Sequence, residues 1–319
     1  MKRPLITVLG ATGAQGGGTA HALLADSAQR FAVRAVTRRP TSDTGQALAS
    51  AGAELVQADL DDVQSLEHAF GESHGVFAVT NFWEHFSPER ELEQASNIAA
   101  AARRAGVKHV VWSTLEDTRR WVPLEDDRWP TLMQHYKVPH FDAKGQANEF
   151  FQGLPTTLMH TSFYWDNLIH FGLGPQRAPG GELVFVLPMG DSPLPGIAAA
   201  DIGVCAAALF ARGPELAGRS VGISGEHLSG AQMAASLARA LGEPVRHQDM
   251  SRAQYAALGF AGAGDLANMF SFKREFGDDY RARRSLEATR ALHPGVLNFD
   301  AWLACHADRI PVPPVARGA

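Results

Sequence analysis

The chain enters its first apolar run at Leu5-Ile6-Thr7-Val8-Leu9, too short for a helix and closed by glycine, the pattern of a buried strand. An amphipathic stretch over Gly16–Leu24 predicts a helix. Phe31–Thr37 predicts a second strand, with Val33, Ala35 and Thr37 alternating with Ala32, Arg34 and Val36. The alternation continues through a helix near Thr44–Ala51, a strand at Glu54–Gln57, a helix at Val63–Ala69 and a strand at Gly75–Thr80. A long helix is expected from Pro88, a residue tolerated in the first helical turn, to about Ala105. Gly106 closes it, and Lys108–Ser113 follows as a strand. Strands and helices alternating with short links form a parallel sheet covered on both faces. Right-handed crossovers make that sheet doubly wound.

Beyond Ser113 the pattern loosens. Leu115–Val138 is polar, interrupted by Pro123 and Pro130, and carries Trp121 and Trp129; a loop this long is expected to be functional or mobile. A helix over Phe141–Gln152 and a strand at Thr156–His160 follow. Gly/Pro-rich turns at 172–181 and 188–195 then separate short elements, among them an alanine-rich helix over Asp201–Arg212. The expectation is an α/β chain in two parts: a Rossmann-type domain over 1–160 and a smaller C-terminal α/β lobe over 161–319, with part of 197–225 returning to the first sheet. Pro311–Pro314 reads as a frayed end.

Composition narrows the class. A chain of 319 residues with 45% apolar and 20% charged residues is an ordinary soluble globular protein. Its net charge of -5 argues against direct nucleic-acid binding and against an anionic membrane surface. No apolar run approaches the ~20 residues of a membrane span, and the early first strand leaves no room for a secretory signal. Cys205 and Cys305 lack metal-ligand spacing and read as buried free thiols of a reducing, cytoplasmic compartment. His135 and His140, five apart, fit one helical face poorly, so no metal is expected. Arg281, Arg283 and Arg284 read as a solvated helix face.

The chemistry begins at Gly10-Ala11-Thr12-Gly13-Ala14-Gln15-Gly16, placed between a strand and a helix. Gly10, Gly13 and Gly16 allow a tight turn, close approach of backbone to a pyrophosphate and close helix–strand packing, while the helix start offers free N–H groups to the anion. After the second strand stands Thr37-Arg38-Arg39, with no nearby carboxylate. An acidic residue there would bind a ribose 2′-OH, whereas a guanidinium fork matches a 2′-phosphate, so the expected cofactor is NADP(H). Asp59 is placed to meet the adenine amino group, and Thr80-Asn81-Phe82 ends the fourth strand where the nicotinamide half should lie.

Together G-A-T-G-A-Q-G-G, V-T-R-R-P, Q-A-D-L-D-D, V-T-N-F-W-E, H-F-D-A-K-G, S-F-Y-W-D-N, P-M-G-D and D-L-A-N-M-F resemble the NmrA-like family of atypical short-chain dehydrogenase/reductases. Within it, the chain is especially similar to the branch that contains a human NADPH sensor. The resemblance implies a phosphate loop at Gly10–Gln15, a 2′-phosphate contact at Arg38 with Arg39 close by, and adenine contacts at Asp59 and Leu60. It implies a nicotinamide side at Thr80, Asn81 and Phe82, a ribose contact at Lys144, and closure by Tyr164, Trp165, Asp166 and Asn167. Ordinary members of the wider class pair a tyrosine with a lysine four residues later; here His140 stands at the tyrosine position and Lys144 at the lysine.

Three readings follow from that exchange. His140 replaces the phenol as proton donor; or Lys144 alone acts as acid/base; or Lys144 only holds the ribose and there is no turnover. The favoured expectation is an NADP(H)-occupied sensor or regulator with a protein partner. The alternative is an NADPH-dependent reductase of a small flat acceptor such as a quinone, enone or related carbonyl. Monomer and homodimer both remain open.

Overall fold

The computed structural model describes residues 2–314; residue 1 and residues 315–319, the extreme ends of the two expected parts, lie outside the described residues. The first half runs β1 (Leu5–Val8), α1 (Ala14–Leu24), β2 (Ala32–Thr37), α2 (Asp43–Ser50), β3 (Glu54–Gln57), α3 (Val63–Phe70), β4 (Gly75–Ala78), α4 (Pro88–Arg104), β5 (His109–Thr114), α5 (Pro139–Ala147) and β6 (Thr156–His160). The second half continues β7 (Phe163–Tyr164), α6 (Asn167–His170), β8 (Gln176–Arg177), β9 (Leu183–Val186), β10 (Leu194–Ile197), α7 (Ala199–Arg212), β11 (Ser220–Gly222), β12 (Glu226–Leu228), α8 (Gly230–Leu241) and β13 (Val245–Gln248). Five helices close it: α9 (Arg252–Ala256), α10 (Ala263–Glu275), α11 (Gly277–Ala282), α12 (Leu286–Leu292) and α13 (Phe299–His306).

Seven parallel strands stand in the order β11-β6-β5-β4-β1-β2-β3. Strand order reverses between β1 and β4, so the loops leaving their carboxyl ends diverge and open a crevice there. β1, β4 and β5 are buried at every position, and their polar members Thr7, His109, Ser113 and Thr114 are each hydrogen-bonded. One face packs Ile6, Val8, Phe77 and Val111 against α1 and α7; the other packs Val76, Ala78, Val110 and Trp112 against α3 and α4. α1 and α7 meet backbone to backbone, because a Cβ on Gly203 would overlap the Gly18 carbonyl group. Two further three-stranded sheets, β12-β10-β7 and β13-β9-β8, carry a separate apolar core with α8, α10 and α13.

Several expectations are corrected. α1 begins at Ala14 rather than Gly16, because the Gly13 amide closes on the Gly10 carbonyl at 2.8 Å and the helix starts at once. α5 begins at Pro139 and gives way at Asn148 to a 3-10 turn, where the Asn148 amide oxygen accepts from Trp112 and Thr114. The 115–138 segment is packed: Val122, Trp129, Tyr136 and Lys137 are buried, and the Lys137 ammonium donates to the Asp126 and Trp129 carbonyls at 2.7 and 3.0 Å. Arg284 is fully buried, not part of a solvated face. Cys205 is buried, but Cys305 is exposed. The 311–314 end is tied down, since Val312 packs on the core and Arg177 donates to the Pro313 carbonyl at 2.7 Å. Among the described residues no helix is long and apolar enough to cross a membrane, and no cluster of His, Cys, Asp or Glu could hold a metal ion.

Candidate functional site

The glycine loop leaves β1 with Gly10 at φ +60°, a left-handed conformation that glycine adopts without strain. A Cβ on Gly16 would overlap the Leu9 and Gly10 carbonyl oxygens, so this position fixes how closely α1 can approach the strand end. Thr12, Gly13 and Ala14 are exposed, and Gly13 at the N-cap brings no side-chain cap. The first-turn amides therefore have no side-chain competitor for an anion. Ala11 is buried and donates its amide to the Val36 carbonyl at 3.3 Å, which ties the loop to β2.

Arg38 and Arg39 lie exposed past the end of β2. Arg38 pairs with Glu84, a residue beyond the end of β4. Arg39 contributes its backbone, donating its amide to Thr37 Oγ1 at 3.2 Å. A cavity of about 370 Å³ is lined by Arg38, Gln57, Ala58, Asp59, Asp62 and Ser65. Asp59 takes the Asp61 amide at 3.1 Å, whereas Asp62 caps α3 through the Gln64 and Ser65 amides. Leu60 gives its carbonyl to Asn97 at 2.9 Å and does not line the cavity.

At the end of β4 a buried polar cluster forms. Lys144 Nζ donates to Thr80 Oγ1 at 2.6 Å and to the Thr80 carbonyl at 3.1 Å, and pairs with Glu91 Oε1 at 2.8 Å. Thr80 in turn donates to Glu91 at 2.5 Å, and His85 approaches the other carboxylate oxygen at 3.5 Å. Glu91 is wholly buried. Burial alone would push its carboxyl up; the Lys144 charge, the nearby His85 ring and the hydrogen bonds from Lys144 and Thr80 outweigh that and hold it at about 2. The arrangement locks the lysine head onto the strand end. Asn81 is exposed at that end and Phe82 is buried beneath it.

One helical turn before Lys144, His140 is held by both oxygens of Asp265 on α10. Its amide donates to Oδ2 at 3.1 Å, and Nδ1 lies 2.6 Å from Oδ1. Trp83 packs on the imidazole with ring centroids 4.7 Å apart, and Phe82 lies at 6.1 Å. α5 itself is anchored by Asp142, whose carboxylate accepts from the Thr118 amide and hydroxyl and from the Lys137 and Val138 amides. The long segment before α5 therefore positions both His140 and Lys144.

Of the four residues expected to close the nicotinamide end, Tyr164 reaches the glycine loop. Gln15 donates to its hydroxyl and accepts from Ser113 at 2.7 Å, so one amide ties the start of α1 to β5 and β7. Burial pushes the Tyr164 phenol up to about 12, so it stays neutral. The Trp165 ring instead packs in the lobe core at 5.4 Å from Phe299, because the neighbouring Gly196 leaves it room there. Asp166 accepts the Ala199 amide at 2.8 Å, at the start of α7, and Asn167 opens α6. Sequence reasoning gave no role to Glu84, Glu91 or Asp265. The D-L-A-N-M-F segment that contains Asp265 was visible, but its pairing with His140 spans 125 positions.

The model of the NmrA-like family matches residues 2–303. The chain belongs to the NmrA-like family. Curated relatives carry oxidoreductase names. The NmrA-like family domain-containing oxidoreductase malD of Malbranchea aurantiaca is 41% identical over 114 residues, 34% of this chain and 34% of that protein. This alignment thus spans about a third of the relative's length. The oxidoreductase lnbB of Aspergillus flavus is 25% identical over 303 residues, covering 90% of this chain and 88% of the relative. Among solved structures, NmrA, a negative transcriptional regulator, superposes in its NAD complex with a TM-score of 0.76 and in its NADP complex with 0.72. The identities are 21% and 20%, and 95% of each chain is covered in both. At that identity the likeness establishes the fold of this NmrA-like chain, a Rossmann-type sheet with added small sheets.

Proposed function

We propose that this NmrA-like chain binds NADP(H) in the crevice between β1 and β4 and reduces a small flat acceptor, a quinone, enone or related carbonyl. The nicotinamide cofactor supplies the hydride when bound. Gly10–Gly16 and the start of α1 would cradle its pyrophosphate, and Arg38 its 2′-phosphate. Asp59 would meet the adenine, Thr80 to Phe82 would border the nicotinamide, and Lys144 would hold the adjoining ribose. The uncapped first turn of α1 and the exposed Arg38 fit this anionic ligand.

The observation that carries the reductase reading is the convergence, on one turn of α5, of two proton-bearing groups beside an aromatic face. Lys144 sits on Thr80, and His140 sits under Trp83. A pure sensor needs the ribose contact but has no use for a buried imidazole at the acceptor side. The second reading, a redox-state sensor with a protein partner, is favoured by His140 standing in place of tyrosine.

Binding and turnover together decide between them. On the full chain, NADPH should bind more tightly than NADH by quenching of intrinsic tryptophan fluorescence. NADPH consumption is then followed at 340 nm with a panel of quinones, enones and aldehydes. Turnover that is lost in Lys144→Ala supports the reductase. Tight NADPH binding with no turnover on any acceptor gives way to the sensor, and equal NADH and NADPH affinity overturns the cofactor assignment.

A further inference from the structure

The geometry points to a proton-donating dyad, Asp265–His140, in which His140 Nε2 delivers the proton to the acceptor oxygen and Asp265 is its positioning residue. This rests on the reductase reading above. Asp265 uses both carboxylate oxygens on one residue, taking the His140 amide at 3.1 Å and Nδ1 at 2.6 Å. Two fixed points on one side of the residue leave the imidazole no freedom to rotate, and they commit Nδ1 to the carboxylate. Nε2 then carries no hydrogen bond among the described residues. In the doubly protonated ring the Nδ1–H stays on the carboxylate, and the Nε2 proton is the one free to leave.

The surroundings suit a flat acceptor. Trp83 lies over the ring at 4.7 Å and is only half-buried, and Phe86 beside it at 5.7 Å is exposed. Phe86 holds a left-handed backbone at φ 53°, a conformation a bulky L-residue adopts only when its surroundings impose it. Gly262, the N-cap of α10, packs against both rings: a Cβ there would lie 2.8 Å from the Trp83 ring and 3.4 Å from Phe86. The lobe that supplies Asp265 therefore also sets the aromatic wall.

The step balances with a nicotinamide hydride donor as co-reactant. A hydride, carrying two electrons, adds to the acceptor and converts a carbonyl to an alcohol or a quinone to a hydroquinone. The N–H bond at Nε2 breaks, the proton goes to the acceptor oxygen, and the neutral imidazole regains a proton from solvent. The acceptor is reduced and the dihydronicotinamide is oxidised. Lys144, fixed on Thr80 and Glu91, holds position rather than donating this proton.

Two measurements on the full chain test the dyad. With 15N-histidine labelling and no cofactor, the neutral His140 ring should hold its proton on Nδ1, with a downfield signal that disappears in Asp265→Asn. A proton on Nε2 instead overturns the proposal whatever the turnover. With NADPH and 9,10-phenanthrenequinone, His140→Gln should lower kcat by about 10²–10⁴-fold, the range for loss of a general acid, with the Kd for NADPH within threefold of the parent. Asp265→Asn should lower kcat without raising KM, and imidazole in the buffer should restore part of the turnover of His140→Ala. A parent chain that reduces the quinone while His140→Gln keeps its kcat within threefold overturns the dyad and leaves the reductase standing. A parent chain that reduces nothing overturns both.

Discussion

Glu91 gives the sharpest energetic test, because a carboxylate with no exposed surface must be held by its partners. Its partners are Lys144 at 2.8 Å and Thr80 at 2.5 Å, with His85 at 3.5 Å. Replacing it by glutamine keeps the shape and removes the charge. Two routes give the cost. A carboxyl held at about 2 rather than 4.5 contributes about 3 kcal/mol, at roughly 1.4 kcal/mol per pH unit. Breaking a buried ion pair by removing one partner typically costs about 3–5 kcal/mol. The two agree on about 3 kcal/mol. At about 2.1 cal/mol/K of unfolding entropy per residue, that lowers Tm by about 4–5 °C for 319 residues.

The sign with pH is fixed by the direction of the shift. Glu91 titrates lower in the folded chain, so its contribution is complete above the unfolded value and is lost as pH falls towards 2. Urea unfolding of the parent and Glu91→Gln should differ by a constant amount from pH 7 down to about 5, and the gap should narrow by about 1 kcal/mol at about pH 3.5. Equal stability at pH 7, or a gap that widens on acidification, would refute the reasoning.

Four further outcomes follow from the same geometry. Arg38→Ala should reduce the preference for NADPH over NADH by about 10-fold or more, since a hydrogen bond to a charged group contributes about 1.5–3 kcal/mol; fluorescence titration with both cofactors checks it. Glu84→Gln should tighten NADPH by up to about fivefold, because an exposed pair worth about 0–1 kcal/mol no longer competes for the guanidinium; unchanged affinity would mean that Arg38 is not recruited. Gly203→Ala should lower Tm and loosen NADPH, because the added methyl overlaps the Gly18 carbonyl and pushes α7 off the helix that starts at the phosphate loop. Lys273→Met should stabilise the chain more at pH 6 than at pH 10. Burial holds the Lys273 ammonium at about 7, so the folded state bears its desolvation at low pH and sheds it between about 7 and 10.5, which paired denaturant titrations would read.

The sheet was legible because its signals are local. β1 and β4 are short, mostly apolar runs, β2 and β5 carry apolar centres, all lie between helical patterns, and the glycine loop announces itself within seven positions. The candidate site was legible as far as the positions of Arg38 after β2 and of Lys144 on α5, which the local pattern alone sets. It was not legible where function is a pair. Glu91 reads as a solvated acid in the first turn of a polar helix, and only folding brings it against Lys144, 53 positions later. Arg284 reads as part of a basic cluster, yet it forms a two-pronged bond with Glu116 at 2.7 and 3.0 Å under the Tyr280 ring. The 115–138 segment reads as a loop because its order comes from buried side chains and backbone carbonyls with no periodicity.

These hidden pairs share a location, and their energetics say why. Glu91–Lys144, Asp142 with its four donors and Asp265–His140 hold α5 directly, and Glu116–Arg284 lies on the segment leading into it. A buried ion pair rarely adds stability over well-packed apolar side chains of the same volume, because desolvation consumes most of the attraction. A fold that needed only stability would fill these positions with leucine and phenylalanine, as it does a few residues away at Phe141 and Phe151. What the charged set supplies is direction. Each pair fixes one polar atom of α5 or its entry segment against a strand end or the second lobe, and losing one partner leaves a buried charge rather than a small cavity. The helix that carries His140 and Lys144 is thus held in a single orientation towards β4. That is the expected signature of an element whose polar atoms must meet a ligand in fixed positions.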